Sequence, residues 1–124
     1  MKTACLTLLL YNTGAPAIAD PEPFIWVANV RGTELLQWCT SDKVGFQGMC
    51  LGFVSGVASA ADLTLHLREV QKDVRCLFYI PAGTNMEQLK VAVTSRLKEY
   101  PMDLHQLAVQ LTMRYLAEEF PCMK

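Results

Sequence analysis

From Val44 to Leu65 the chain is apolar or small at almost every position, and Asp62 is the only charged residue in the stretch. A segment of this length and composition either crosses a membrane or forms the central helix of a packed domain. Inside it, "GMCLGFVSGVASA" (residues 48–60) sets Gly48, Gly52, Gly56 and Ala60 four residues apart. Glycine weakens a helix by about 1 kcal/mol relative to alanine. The spacing therefore predicts a compensating role, a ridge of small residues that lets a neighbouring element approach closely. Gln47, Asp62 and the charged continuation "HLREVQKD" argue against a span. A charge such as Asp62 would cost roughly 2.5–3.5 kcal/mol at a bilayer centre. The expectation is a buried core helix without stable membrane insertion, with Gly48, Gly52 and Gly56 as helix-packing positions.

The N-terminus reads differently. "MKTACLTLLLYNTGAPAIAD" has a lysine, a short apolar stretch from Ala4 to Leu10, and a small-residue site at Ala17-Ile18-Ala19. That is the layout of a secretory signal, with cleavage expected before Asp20. Residues 1–19 are thus expected to be a leader and residues 20–124 a single domain, since a chain of 124 residues carries one by the usual size prior. With 52% hydrophobic and 19% charged residues, the chain can bury a core. Its net charge of −1 shows no basic excess, so nucleic acid is not an expected partner.

The second half is helical by pattern. "TNMEQLKVAVTSRLKEYP" opens with Thr84 and Glu87 in capping-box spacing. Met86, Leu89, Val93, Leu97 and Tyr100 then form one apolar face, and Pro101 stops the helix. "MDLHQLAVQLTMRYLAEEFPC" offers Asp103 as an N-cap and a face of Leu104, Leu107, Ala108, Leu111, Tyr115 and Leu116, closed by Pro121. Upstream, Thr33 can cap a short helix carrying "ELLQWC", "PFIWVANV" is ambiguous, and "TSDKVGFQ" reads as a loop. Residues 73–83 lack helical periodicity and are punctuated by Pro81 and Gly83. The fold expected is all-α, a small disulfide-stabilised bundle of about four helices.

Once the leader and its Cys5 are removed, Cys39, Cys50, Cys76 and Cys122 remain. An even set in an exported domain predicts two disulfides, whereas spacings of 11, 26 and 46 do not suit a zinc site with close ligand pairs. In an up-and-down bundle, Cys39 closes the first helix and Cys50 opens the second, so both lie at one end. Cys76 follows the second helix and Cys122 the fourth, at the other end. Short connections favour Cys39–Cys50 and Cys76–Cys122.

Catalysis finds little support. His66 and His105 lie singly in helical segments, no Ser-His-Asp or Cys-His arrangement has local context, and the Gly-x-x-x-Gly spacing is not a phosphate loop. Glu118 and Glu119 read as a solvated helix end. No catalytic residue, cofactor or metal is expected. The chain reads as one that binds rather than converts.

The order "GTELLQWC", "CLGFVSGV", a loop ending in "PAGT", "QLKVAVTSRLKEYP", "LHQLAVQL" and a terminal "FPC" resembles the Tai/Rap family of immunity proteins, which protect bacteria from amidase toxins delivered by type VI secretion. The likeness covers about residues 30–122. It implies a periplasmic protein, commonly a homodimer, that binds a peptidoglycan amidase and occludes its active-site cleft. The loop 73–83 departs from the family pattern, because Cys76 lies five residues before Pro81 where the family keeps two.

In that loop, "DVRCLFYIPAGTN" offers Arg75, Phe78, Tyr79 and Ile80 as toxin contacts, arginine and aromatic residues being the usual hot-spot types. Phe78 and Ile80 could equally cap the core. Nothing in the sequence marks the homodimer surface, although the glycine stripe or Trp38 could serve it. The rival reading is a periplasmic acid-stress chaperone or adaptor, also small, helical and disulfide-bonded, which would lose structure at low pH.

Overall fold

The computed structural model describes residues 29–73 and 75–122. The expected leader and the segment around Trp26 lie outside them. The described chain folds into four α-helices: α1 (Gly32–Thr40), α2 (Val44–Val70), α3 (Met86–Glu99) and α4 (Ala108–Glu119), with one 3₁₀ turn at Pro101–Asp103. It is an all-α bundle closed by two disulfides.

The helix starts are made differently from the sequence expectation. Thr33 does not cap α1; the cap residue is Arg31, whose backbone N–H donates to the Glu34 carboxylate at 2.8 Å. The first N–H groups of a helix have no partner within it. In α1 these are Gly32 and Thr33, which donate to the carbonyls of Gln106 and Leu104 at 3.0 and 3.1 Å. The debt is returned at the other helix, where the Ala108 N–H donates to the Val30 carbonyl at 2.7 Å. Two helix starts thus cap one another through backbone bonds, and neither relies on the side chain of Thr33 or Asp103 to accept its first N–H groups. Asp103 lies in the 3₁₀ turn rather than at the start of α4, and its carboxylate accepts from the Gln106 side chain at 3.1 Å. This approach explains one glycine: a Cβ on Gly32 would sit 2.6 Å from Leu111 Cδ1 and 3.1 Å from the Leu104 backbone.

The start of α3 is displaced by one residue. Asn85, not Thr84, is the cap: its side chain accepts from the Gln88 N–H, and Gln88 returns the bond to the Asn85 N–H. Thr84 instead donates to the Pro81 carbonyl at 2.8 Å, closing the preceding turn. The link between α1 and α2 is also shorter than "TSDKVGFQ" suggested, only residues 41–43, so Cys50 lies inside α2 rather than at its opening.

The core is built from Leu35 and Trp38 of α1, Phe53 and Val54 of α2, Leu89, Val93 and Leu97 of α3, and Leu111, Tyr115 and Leu116 of α4. Phe78 enters it from the loop between α2 and α3. Trp38 meets Phe53 edge-to-face at 6.5 Å, a favourable ring geometry, and at 8% exposure it is spent inside the fold and closed to a partner.

The expected role of the glycine stripe is overturned. The buried face of α2 is Cys50, Phe53, Val54, Ala58 and Ala61. Gly48, Gly52 and Gly56 lie on the exposed side, and a Cβ at any of them would meet no atom within 4 Å. The physical reason is that apolar and small residues cover most of the circumference of α2 beside one polar stripe, so periodicity alone does not tell which face the bundle covers. The larger side chains Phe53 and Val54 win the core, and the glycines are left outside. By length and composition alone α2 could cross a membrane, but one side of it is committed to the core of this bundle.

Candidate binding surface

The connection between α2 and α3 holds the sequence-selected contact residues, and it is an extended run in which side chains alternate. Cys76, Phe78 and Ile80 turn inward, with Phe78 fully buried and Ile80 packed against the core. Arg75, Leu77 and Tyr79 turn outward. Alternation of this kind is the ordinary geometry of extended backbone. The expected contact set Arg75, Phe78, Tyr79 and Ile80 is therefore split by the structure. Arg75 and Tyr79 are presented, while Phe78 and Ile80 anchor, because a ring at 1% exposure cannot touch a partner without leaving the core.

The run is held from three sides. Cys76 is joined to Cys122 beyond α4, the Tyr79 N–H donates to the Phe120 carbonyl at 2.9 Å, and Phe78 fills the core. Arg75 makes no ion pair among the described residues. Gly83, at φ 91°, lies in the left-handed region that glycine adopts at least cost, and it turns the chain toward α3.

Leu77 was missed by sequence reasoning, and it is the residue that links the loop to a second feature. With Gly52, Phe53, Gly56, Val57 and Ala60 of α2, and Val109 and Met113 of α4, it lines an apolar groove of about 400 Å³. Gly52 and Gly56, two of the exposed glycines, line this groove. On either side of it along the same helix, Met49, Leu63, Leu67 and Val70 are exposed at 47%, 59%, 41% and 83%. Apolar residues exposed in one patch mark interaction surfaces on soluble proteins. The alternation in "RCLFYI" was the signal that could have found Leu77.

Charge around the surface is sparse. Arg96 pairs with Glu118 at 2.8 Å across α3 and α4, so Glu118 is a tie between helices rather than a free acid. His66 lies exposed on α2; its pKa is raised first by the hydrogen bond from Nδ1 to the Asp62 carbonyl and then by the Asp62 carboxylate. Burial pushes the Tyr115 hydroxyl up, with a further push from Asp103; this ring stacks on Tyr100 at 6.4 Å. His105 stands apart, its ring bonded to the Met102 carbonyl. No group of three or more His, Cys, Asp or Glu side chains is placed to hold a metal among the described residues.

The chain matches the family model of the Rap1a immunity proteins over residues 31–122. That span opens at the cap of α1 and closes at Cys122, taking in both disulfides, the loop and the groove. No curated protein and no solved structure matches it.

Proposed function

From the premise that this chain belongs to the Rap1a immunity protein family, a family of type VI effector immunity proteins, we propose that it neutralises a peptidoglycan amidase effector in the periplasm by occluding its active-site cleft. The loop between α2 and α3 supplies the plug. One observation carries the reading: Arg75, Leu77 and Tyr79 project from a run whose alternate residues are fixed by a disulfide and by the core. A tethered segment loses less conformational freedom on binding than a free one, so more of its contact energy appears as affinity. Arginine and tyrosine are residue types that dominate such interfaces.

The loop alone is too small for a stable complex, which needs roughly 1,200–2,000 Å² of buried surface. The adjoining apolar groove extends the contact surface through Leu77. The family resemblance supports a homodimer, and the uncovered face of α2 around Met49, Leu63 and Leu67 is the surface available for it. Export through residues 1–19 would bring the chain to an oxidising compartment, where its disulfides persist.

The test is calorimetric titration of the oxidised protein against an amidase effector encoded beside it, with amidase activity followed in the same mixture. Stoichiometric binding with loss of cleavage is expected. Binding without inhibition would refute occlusion, and no binding by the folded protein would refute the pairing. Melting of the helices at low pH with capture of many clients would favour the chaperone reading instead.

A further inference from the structure

The two disulfides sit in different surroundings. Cys39 and Cys50 are 5% and 0% exposed, one in the last turn of α1 and the other inside α2. Cys76 and Cys122 are only half-buried, and both lie outside the helices. Thiol–disulfide exchange needs a thiolate to reach a sulfur atom. A thiol in solution can approach Cys76 or Cys122 directly, whereas the inner pair is covered until α1 and α2 separate.

What the outer pair holds is also local. Among the described residues, no hydrogen bond joins the stretch from Lys72 to Leu77 to the bundle; the first is donated by the Tyr79 N–H to Phe120. Upstream of the buried Phe78, Cys76 is the one covalent tether among the described residues, and Leu77 adds only a side chain at the rim of the apolar groove. The helices themselves are packed through residues that neither Cys76 nor Cys122 contributes. The chain-entropy advantage of the long loop that this pair closes belongs to the unfolded chain, so it does not resist opening while the bundle stays folded.

We propose that Cys76–Cys122 is a redox latch, opened by a dithiol while Cys39–Cys50 stays closed. One thiolate of the dithiol attacks a sulfur of the pair, forming a mixed disulfide and releasing the other cysteine as a thiolate that takes a proton. The second thiol of the dithiol then displaces the remaining cysteine, which is protonated in turn. Two electrons and two protons pass to the protein, and the dithiol leaves as its own disulfide. The products are Cys76 and Cys122 thiols, a released Arg75–Leu77 segment, and a released tail beyond Phe120, with the helices retained. The consequence for effector binding rests on the reading proposed above; the latch does not.

The experiment treats the oxidised protein with rising dithiothreitol, traps thiols with iodoacetamide, and reads each cysteine by peptide mass spectrometry. Far-ultraviolet circular dichroism and tryptic cleavage after Lys72 and Arg75 are followed in parallel. Cys76 and Cys122 should alkylate at least tenfold faster than Cys39 and Cys50, cleavage after Arg75 should rise tenfold or more, and the helical signal should be unchanged. Equal alkylation of all four, helix loss together with Cys76 labelling, or unchanged cleavage would each overturn the latch. The variant carrying Cys76→Ser and Cys122→Ser should show the same cleavage without reductant; an unfolded variant would make the pair a structural staple and overturn the proposal. If the open form is shown and the effector still binds with the same affinity, the latch stands and the loop-contact reading fails.

Discussion

The backbone N–H of Tyr79 is bonded to the carbonyl of Phe120 at 2.9 Å, three residues beyond one half-cystine and two before the other. This bond and the Cys76–Cys122 bridge pin the loop to the end of α4 in the same orientation. The outward direction of the Tyr79 ring thus follows from how its neighbours are held.

Binding and folding should separate residue by residue along this loop. Arg75→Ala and Tyr79→Ala are expected to weaken effector binding by about 2 kcal/mol each, roughly thirtyfold, with melting temperatures unchanged. Phe78→Ala should cost about 3–5 kcal/mol of stability, because its ring is buried. Calorimetry and thermal melts on the three variants decide it. A Tyr79 variant that melts early but binds normally would reverse the assignment.

Glycines on α2 and at the start of α1 should respond in opposite senses. Gly52→Ala and Gly56→Ala meet open space and gain helix propensity, so each should stabilise by about 0.5–1 kcal/mol. Gly32→Ala should destabilise, since its new methyl would press on Leu111 and the Leu104 backbone. Denaturant melts give the signs.

Removing the cap of α3 should cost more than changing the residue before it. Asn85→Ala deletes an acceptor for the Gln88 N–H and is expected to lower stability by about 1 kcal/mol. Thr84→Ala removes only a turn hydrogen bond and should cost less. Equal losses would show that the cap is shared.

The exposed His66 should titrate above the ordinary histidine range, as its Nδ1 proton is held by the Asp62 carbonyl and favoured by the Asp62 carboxylate. A raised folded pKa means the contribution to stability is present at acid pH and fades as pH rises through that pKa. Asp62→Asn should lower the midpoint only in part, because the backbone carbonyl remains. Proton NMR titration of both forms checks this; a complete return to the ordinary value would make the carboxylate the main cause.

The helical half of the molecule was legible because α3 and α4 carry polar and apolar faces that differ: Leu89, Val93 and Leu97 are buried as their spacing requires. α2 was legible as a helix but not in orientation, because apolar and small residues cover most of its circumference. The caps expected at Thr33 and Asp103 failed for a different reason. The helices start at other residues, and the N–H groups of Gly32, Thr33 and Ala108 are met by carbonyls some seventy residues away in sequence, a long-range exchange that no local motif announces. In the loop, residue types pointed to Arg75 and Tyr79, but selecting by type rather than by alternation mixed inward with outward residues and passed over Leu77.

That alternation has a consequence for how such a chain can change over time. Scaffold and address are written on the same six residues, interleaved: Cys76, Phe78 and Ile80 hold the shape, while Arg75, Leu77 and Tyr79 face outward. Every second position can be rewritten without disturbing the bundle beneath it. A lineage whose adversary alters its cleft could therefore follow by substitution at these positions alone, with the folding instructions left intact.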